Sequence, residues 1–201
     1  MAGTAPEARP GLSGLRRMIL FIHGFGSCGW GGKSLALRRH FGVANVLAPD
    51  LPFHPREAEE KISGIRQRYP VSALVGSSLG GFFATWLNRR DPLPTILINP
   101  ALRPHEKLQA HLGRHRRWCD AMPFDVTDDF LESLQSMHRN RLAQEERYLV
   151  LLQRADEVLD YREAADYYCD KNLRVLPGGS HRFDDFDTHL PGIADWLIQG
   201  Q

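Results

Sequence analysis

The sequence predicts an α/β fold in which a mostly parallel, six-stranded sheet carries helices on both faces, giving three layers. Six short runs are rich in branched and aromatic residues, and most are continuously apolar, as expected of parallel strands covered on both sides. Helical patterns separate these runs, and such alternation is typical of βαβ units. Right-handed crossovers then place helices on both faces and functional loops at the carboxyl ends of the strands.

The predicted elements follow one another along the chain with one interruption. The strand-like runs are MILFI at 18–22, NVLA at 45–48, VSALV at 71–75, PTILI at 94–98, RYLVLL at 147–152 and LRVL at 173–176. Helical patterns cover about 32–40, 56–68, 79–90, 160–169 and 190–198. The last pattern has one apolar stripe, formed by Leu190, Ile193, Ala194, Leu197 and Ile198.

Residues 102–146 interrupt this alternation. They contain the helix-like stretches EKLQAHLGRHRRW and DDFLESLQSMHRNRL and no convincing strand, so the sequence predicts a helical cap insertion over the strand ends. The basic run RHRR at 114–117 is expected on a solvated helix face. His111 and His115 would share one helix face, either as metal ligands or as exposed residues. Because no third ligand is nearby, we favour exposure and predict no metal site.

The length of 201 residues and the formal charge of +1 limit the possible functions. A chain of this length is expected to fold as one domain, at 18–201, behind a flexible N-terminal tail at 1–17. The near balance of charge provides no general attraction to nucleic acid. The apolar runs are too short for a membrane span or a signal-peptide core. No nucleic-acid or membrane partner is therefore predicted.

The cysteines Cys28, Cys119 and Cys169 are odd in number, far apart and without a C-x-x-C pair. This spacing indicates neither a disulfide framework nor a zinc site. We therefore expect unlinked cysteines in a reducing interior.

The segment VGSSLGG at 75–81 follows the third strand-like run and opens a helical pattern. It contains the G-x-S-x-G pattern of a nucleophile elbow in the strand, turn and helix context that this pattern requires. A serine on such a turn projects its hydroxyl above the sheet, and the flanking glycines let strand and helix approach closely. The sequence therefore predicts an α/β-hydrolase fold with Ser78 as the nucleophile.

A serine nucleophile needs a base, and the base needs an acid; in this fold they follow in the chain order Ser, Asp or Glu, His. QRADEVLDY, after the fifth run, offers Asp156, Glu157 and Asp160, and PGGSHRF, after the sixth, offers His181. Asp156 is the candidate acid because it comes first after the strand. Asp160 is the alternative, although an N-cap role suits it better. The candidate catalytic residues are thus Ser78, Asp156 and His181.

The segment MILFIHGFGSCGWGGKS at 18–34 allows two interpretations. A Walker A loop needs G-x-x-x-x-G-K-[ST], and both possible registers miss this spacing by one residue. Acyl transfer instead needs two backbone N–H groups around the developing oxyanion, one after the nucleophile and one after an earlier strand. We therefore expect the N–H groups of Phe25 and Leu79 to form an oxyanion hole. His23 would hold the loop in place, and Lys33 would be a solvated helix residue.

Five stretches together resemble the small YqiA/YcfP-type esterases of the α/β-hydrolase superfamily: FIHGFGS, VGSSLGGFFATWL, INPALRP, DEVLDY and GGSHRF. The resemblance covers about residues 18–198 in the same order and spacing. It implies a cytoplasmic bacterial carboxylesterase acting on short acyl esters, with Ser78, Asp156 and His181 as the triad and Phe25 and Leu79 as oxyanion donors. The chain departs from the pattern at Arg182 and in its long, arginine-rich cap, which affects the expected substrate more than the expected chemistry.

The leading hypothesis is a serine esterase that cleaves a small-molecule acyl ester through an acyl-enzyme and needs no cofactor. An acyl-CoA thioesterase with the same triad is one alternative. Another is a binding module, in which an inert hydrolase scaffold presents the cap and its basic cluster to a partner. Nucleotide binding is the third. In the cap, Trp118, Phe124 and Phe130 form either an apolar acyl pocket or plain packing. No oligomeric state is predicted.

Overall fold

The computed structural model describes residues 18–199, so the tail expected at 1–17 lies outside the described residues. The described part contains eight strands and seven α-helices. The strands are β1 Met18–Ile22, β2 Val46–Leu47, β3 Val71–Ser77, β4 Thr95–Ile98, β5 Gly113–Arg116, β6 Pro123–Val126, β7 Tyr148–Gln153 and β8 Asn172–Leu176. The helices are α1 Gly32–Phe41, α2 Pro55–Arg68, α3 Leu79–Asn88, α4 Pro104–Leu108, α5 Asp128–Ser136, α6 Tyr161–Tyr167 and α7 Phe186–Ile198.

Six of these strands form one parallel sheet in the order β2-β1-β3-β4-β7-β8. All six predicted runs belong to this sheet, with ends that differ by at most two residues from the prediction. The predicted helical patterns between them are also helices, although α7 begins at Phe186 rather than at residue 190. The predicted three-layer α/β class is therefore confirmed.

Helices cover both faces of the sheet and bury a separate apolar cluster on each. Alternate side chains of a strand point to opposite faces, so Ile19 and Phe21 of β1 join one cluster and Leu20 and Ile22 join the other. The first cluster includes side chains of α1 and α7, and the second includes side chains of α2, α3 and α6. Burial on both faces is the physical reason that the central strands are mostly apolar rather than alternating.

The insertion at 102–146 differs from its prediction because part of it is a β-hairpin. The strands β5 and β6 pair antiparallel, with Arg114 opposite Asp125 and His115 opposite Phe124. The helical pattern that the sequence suggests through RHRR breaks at Gly113, whose φ of +108° is incompatible with an α-helix. The prediction of an all-helical cap is therefore wrong in this part. The second predicted helical stretch does form a helix, α5.

The basic run RHRR is consequently a strand and its continuation, not a solvated helix face. Arg117 is buried and donates from Nε to Asp120 Oδ1 over 2.9 Å. His111 and His115 do not share a helix face either, because His115 lies on β5. Its ring Nε2 lies 2.6 Å from the backbone carbonyl oxygen of His111. Over residues 18–199, no three His, Cys, Asp or Glu side chains cluster in a way that could hold a metal ion.

The helices of residues 18–199 include none that is both long enough and apolar enough to span a membrane.

Candidate active site

Ser78 occupies a sharp turn between the last residue of β3 and the first residue of α3. Its φ of 55° and ψ of −122° lie in a region that residues with a side chain seldom adopt. Such a conformation costs about 1–3 kcal/mol and persists where the surrounding structure enforces it. The enforcing contact here is close packing: a Cβ on Gly80 would lie 2.0 Å from the Ile22 carbonyl oxygen, and one on Gly76 would lie 2.4 Å from the Gly80 carbonyl oxygen.

The structure brings Ser78, His181 and Asp156 into one hydrogen-bonded line. The Ser78 Oγ lies 2.9 Å from Nε2 of His181, and Nδ1 of His181 lies 2.8 Å and 3.0 Å from the two carboxylate oxygens of Asp156. A carboxylate only accepts hydrogen bonds, so Nδ1 carries the proton and Nε2 is left as an acceptor facing the serine hydroxyl. The Asp156 side chain is 2% exposed and that of His181 is 20% exposed.

The carboxylate of Asp156 is held by its own loop, after β7. Its Oδ1 accepts the backbone N–H groups of Val158 and Leu159 over 2.9 Å and 2.8 Å. Asp160, the alternative acid, instead caps α6 by accepting the N–H of Arg162 over 3.0 Å. Of the two aspartates, the structure therefore brings only Asp156 to the imidazole of His181.

The loop after β1 passes directly beside the nucleophile. A Cβ on Gly24 would lie 3.1 Å from Cβ of Ser78. Within residues 18–199, neither the Phe25 N–H nor the Leu79 N–H donates to an acceptor of the protein. Both N–H groups therefore remain candidates for an oxyanion hole. The start of α3 at Leu79 adds the positive end of a helix dipole at this position.

A buried histidine fixes this loop. The Nδ1 of His23 donates to the Gly24 carbonyl over 3.0 Å, and Nε2 accepts the Leu51 N–H over 3.1 Å. These two bonds require the neutral imidazole, and burial lowers the pKa of His23 in agreement with that state. The expectation that His23 holds the loop thus agrees with its contacts.

Comparison with known proteins identifies the family. The family model described as "Uncharacterised protein family (UPF0227)" matches residues 18–198. The chain belongs to the UPF0227 family. A UPF0227 protein of Shewanella sp. (strain ANA-3) is 27% identical over 192 residues, covering 90% of this chain and 99% of that protein. The predicted resemblance to YqiA-type proteins of the α/β-hydrolase superfamily is therefore confirmed.

Solved structures are similar to this UPF0227 chain in fold. The alpha/beta hydrolase domain-containing protein 10 from mouse superposes with a TM-score of 0.72 at 17% identity, over 94% of this chain and 93% of that one. The monoacylglycerol lipase of Paleococcus ferrophilus superposes with a TM-score of 0.70 at 16% identity, over 92% of this chain and 95% of that one. These likenesses establish the α/β-hydrolase fold.

The cysteines of the UPF0227 chain differ from the prediction, because Cys28 and Cys119 form a disulfide. Only Cys169 is a free thiol among the described residues. The bond joins the end of the loop after β1 to the turn of the β5/β6 hairpin, across 91 residues of sequence. The expectation of unlinked cysteines is therefore wrong. The cysteines pair because the insertion returns to the loop after β1. This return places two cysteines that are far apart in the sequence side by side.

Lys33 also differs from the prediction. It is half-buried on α1, and its Nζ donates to the Arg182 carbonyl oxygen over 2.6 Å. Burial, with the charge of Arg182 as a smaller cause, lowers the pKa of Lys33 to about 8. The nucleotide-binding alternative requires a lysine free to reach a phosphate. The Lys33 ammonium is instead hydrogen-bonded to the backbone of Arg182, the residue after His181.

Aromatic residues of the insertion pack rather than line a pocket. Phe124 and Phe130 are buried against the ring of Phe25, with ring centroids 5.3 Å and 6.3 Å from it, and Trp118 is 81% exposed. A small apolar cavity of about 20 Å³ does lie beside the two candidate oxyanion donors. Its apolar lining comes from outside the insertion, chiefly from Leu51, Phe53 and Phe83. No local sequence pattern marks these residues, because they meet only in the folded chain.

Two buried amides near the site have no role in the sequence-based hypothesis. Asn99 follows β4, Gln153 ends β7, and both contact the loop that carries His181. A sequence signal for these two residues exists. Each is a polar residue at the end of an apolar run, at the carboxyl edge of the sheet, where side chains of neighbouring strands meet.

Proposed function

We propose that this protein is a serine esterase that hydrolyses small acyl esters through a covalent acyl-enzyme. The observation that carries the proposal is the hydrogen-bonded line from Asp156 through His181 to Ser78. It ends at a serine hydroxyl on a strained elbow, beside two backbone N–H groups without a protein acceptor.

The geometry supports the following sequence of steps. The Ser78 hydroxyl attacks the ester carbonyl while Nε2 of His181 takes its proton, and Asp156 stabilises the imidazolium through Nδ1–H. The N–H groups of Phe25 and Leu79 donate hydrogen bonds to the developing oxyanion. His181 then returns the proton to the leaving alcohol, and a water molecule, deprotonated by the same imidazole, releases the acid and regenerates Ser78. No step requires a cofactor.

We infer small acyl substrates from the limited apolar space beside the candidate oxyanion donors. The adjoining cavity has a volume of about 20 Å³, little more than the space of one or two water molecules. A fold neighbour, the monoacylglycerol lipase of Paleococcus ferrophilus, is named for an ester substrate. An acyl-CoA thioester would use the same attack on a carbonyl, so the two substrate classes differ here only in the leaving group.

Covalent labelling tests the proposal directly. Incubation with a fluorophosphonate probe should attach one label, located on Ser78 by peptide mass spectrometry. Ser78→Ala is expected to remove the label, whereas Ser77→Ala keeps a hydroxyl at the elbow and serves as the matched control. A folded wild-type protein that takes no label, or a label on another residue, would overturn the proposal. A parallel panel of p-nitrophenyl esters and acyl-CoA thioesters separates esterase from thioesterase activity.

A further inference from the structure

The loop between β8 and α7, residues 177–185, carries His181 but has no regular structure that could hold it. Gly178, Gly179, Phe183 and Asp185 all have positive φ values, between 57° and 81°. Neither strand pairing nor helical hydrogen bonds hold such a backbone, so contacts from outside the loop must determine its position. Lys33 holds the Arg182 carbonyl, and the Glu157 carboxylate accepts the His181 N–H over 2.9 Å. Two buried side-chain amides at the ends of neighbouring strands hold the residues on both sides of His181.

Gln153 supplies the first set of contacts. Its Oε1 accepts the N–H groups of Ser180 and Asp184 over 3.0 Å and 2.8 Å, and its Nε2 donates to the Asp184 carbonyl over 3.0 Å. The side chain thus joins both ends of the segment that contains His181. A Cβ on Gly179 would lie 2.1 Å from Oε1 of Gln153, which indicates how closely the loop is laid on this amide.

Asn99 supplies the second set. Its Nδ2 donates to the Ser180 carbonyl over 3.0 Å and lies 3.4 Å from the His181 carbonyl oxygen, while its Oδ1 accepts the backbone N–H of Gln153 over 3.0 Å. Asn99 itself has a positive φ of 40°, a conformation that asparagine tolerates better than most residues. The strained backbone directs the amide at the His181 loop.

The same short segment also holds the backbone of the nucleophile. The Ser78 N–H donates to the Ile98 carbonyl over 3.0 Å, and the Ala101 N–H donates to the Ser78 carbonyl over 3.1 Å. Asn99 lies between Ile98 and Ala101 in the chain. A single stretch after β4 therefore contacts the main chain of Ser78 and the main chain of His181 at once, and so it fixes the separation of the two.

We propose that Asn99 and Gln153 are positioning residues for the acyl-transfer reaction, an inference that rests on the proposed function. Their amides place the imidazole of His181 between the Ser78 hydroxyl and the Asp156 carboxylate. An amide suits the task because it presents a donor and an acceptor together, and the loop offers both carbonyl and N–H groups. Within residues 18–199, every side-chain hydrogen bond of Gln153 goes to this loop.

Two substitutions remove the amides from different strands. Asn99→Gly accepts the positive φ without strain and deletes one amide, and Gln153→Met keeps the length of the side chain and deletes the other. Each is expected to lower kcat for p-nitrophenyl acetate by about 10²-fold, because a misplacement of about 1 Å can cost that much. KM should stay near the wild-type value. Ile62→Val, a truncation in the core on α2, is the matched control for a general loss of stability.

A second readout does not depend on turnover. The His181 Nδ1 proton, bonded to a carboxylate, is expected to give a far-downfield proton NMR resonance in the wild-type protein and in Ile62→Val, and to be broadened or lost in Asn99→Gly and Gln153→Met. If the wild-type protein shows no turnover and no fluorophosphonate label, the proposed function fails, while the resonance still reports the position of His181. Unchanged kcat and an unchanged resonance in both variants would overturn the positioning role. So would failure of both variants to fold, since the amides would then serve the fold as a whole.

Discussion

Two loops bring Ser78 its chemical partners, and they are held in different ways. The loop at 177–185, with His181, is fixed by buried amides that belong to strands of the main sheet. The loop at 23–29, with the Phe25 N–H, is fixed mainly from outside the sheet. The Trp118 N–H donates to the Gly26 carbonyl over 2.8 Å, and the Cys28–Cys119 disulfide joins this loop to the hairpin.

Charged contacts reinforce the second loop from the same side. Asp50 Oδ1 accepts the Gly29 N–H over 2.7 Å, and the guanidinium of Arg117 lies 3.8 Å from that oxygen. The hairpin thus contacts the loop directly through a main-chain hydrogen bond and a covalent bond, and Arg117 also pairs with Asp50, which accepts a loop N–H. Asp50 and His23 tie the same loop to the segment after β2 in the body of the fold, since Nε2 of His23 accepts the Leu51 N–H.

The difference indicates that the two halves of the candidate site can vary independently. The Ser78, His181 and Asp156 line depends on residues at the ends of β3, β4, β7 and β8, which the fold cannot change without disturbing the sheet. The loop with the proposed oxyanion donor Phe25 depends largely on an insertion that lies outside the sheet. We therefore expect perturbations of the hairpin to change transition-state stabilisation without moving His181, and perturbations of the sheet ends to do the reverse.

The largest effect is expected on the His181 side. Asp156→Asn should lower kcat by about 10⁴-fold, by analogy with the serine-protease triad, because the amide favours the wrong tautomer of the imidazole. Asp160→Asn is the matched control, since asparagine also caps helices well and Asp160 does not contact His181. Steady-state kinetics on a p-nitrophenyl ester measures both variants. An equal loss in Asp160→Asn, or none in Asp156→Asn, would place the acid elsewhere.

A smaller effect is expected when the hairpin is released. The double substitution Cys28→Ser and Cys119→Ser should lower the free energy of unfolding by about 2–4 kcal/mol, because the disulfide closes a long loop. It should also lower kcat by about 10-fold to 10²-fold, because the Phe25 N–H would be less firmly positioned. This loss does not exceed the loss expected when one oxyanion donor is removed completely.

Urea unfolding and kinetics check both numbers, with Cys169→Ser, an exposed free thiol, as the control. The downfield resonance of His181 should survive in the double variant. Loss of that resonance would contradict the independence of the two loops.

The sequence predicted the sheet and the three aligned side chains because their signals are local. Apolar runs of four to six residues mark strands buried on both faces, and the G-x-S-x-G pattern of the elbow fixes Ser78 within one turn. His181 and Asp156 follow from chain order once the strands are known, since parallel strands bring their carboxyl ends to one edge. These inferences need no knowledge of the insertion.

The hairpin, the disulfide and the amide contacts were not predicted, because their causes are not local. A helical pattern and a strand pattern overlap in EKLQAHLGRHRRW, and only the backbone at Gly113 decides between them. Cys28 and Cys119 become neighbours only through the return of the insertion to the first loop. The role proposed for Asn99 and Gln153 depends on contacts with residues that lie 27 or more positions further along the chain.

The smallest effect concerns His23, where the loop at 23–29, called the oxyanion loop after its proposed role, meets the body of the fold. Burial lowers the pKa of His23 below the 6.5 of an exposed histidine, so the unfolded chain takes up a proton at a higher pH than the folded chain does. The stabilisation by the neutral ring is therefore complete above pH 6.5 and is lost as the pH falls below it. Protonation also deprives the buried Leu51 N–H of its acceptor, which costs about 1–3 kcal/mol.

Urea unfolding at pH 7.5 and pH 5.5 measures this loss, and His23→Gln should reduce it because the variant has no titrating group at this position. His40→Gln, which removes an exposed histidine of α1, should leave the loss unchanged. If His23→Gln loses as much stability as the wild-type protein between the two pH values, the neutral ring is not what ties the oxyanion loop to Leu51. The hairpin contacts and the bond from the Gly29 N–H to Asp50 would then hold the loop. The contrast between the two loops would be sharper than the contacts of His23 indicate.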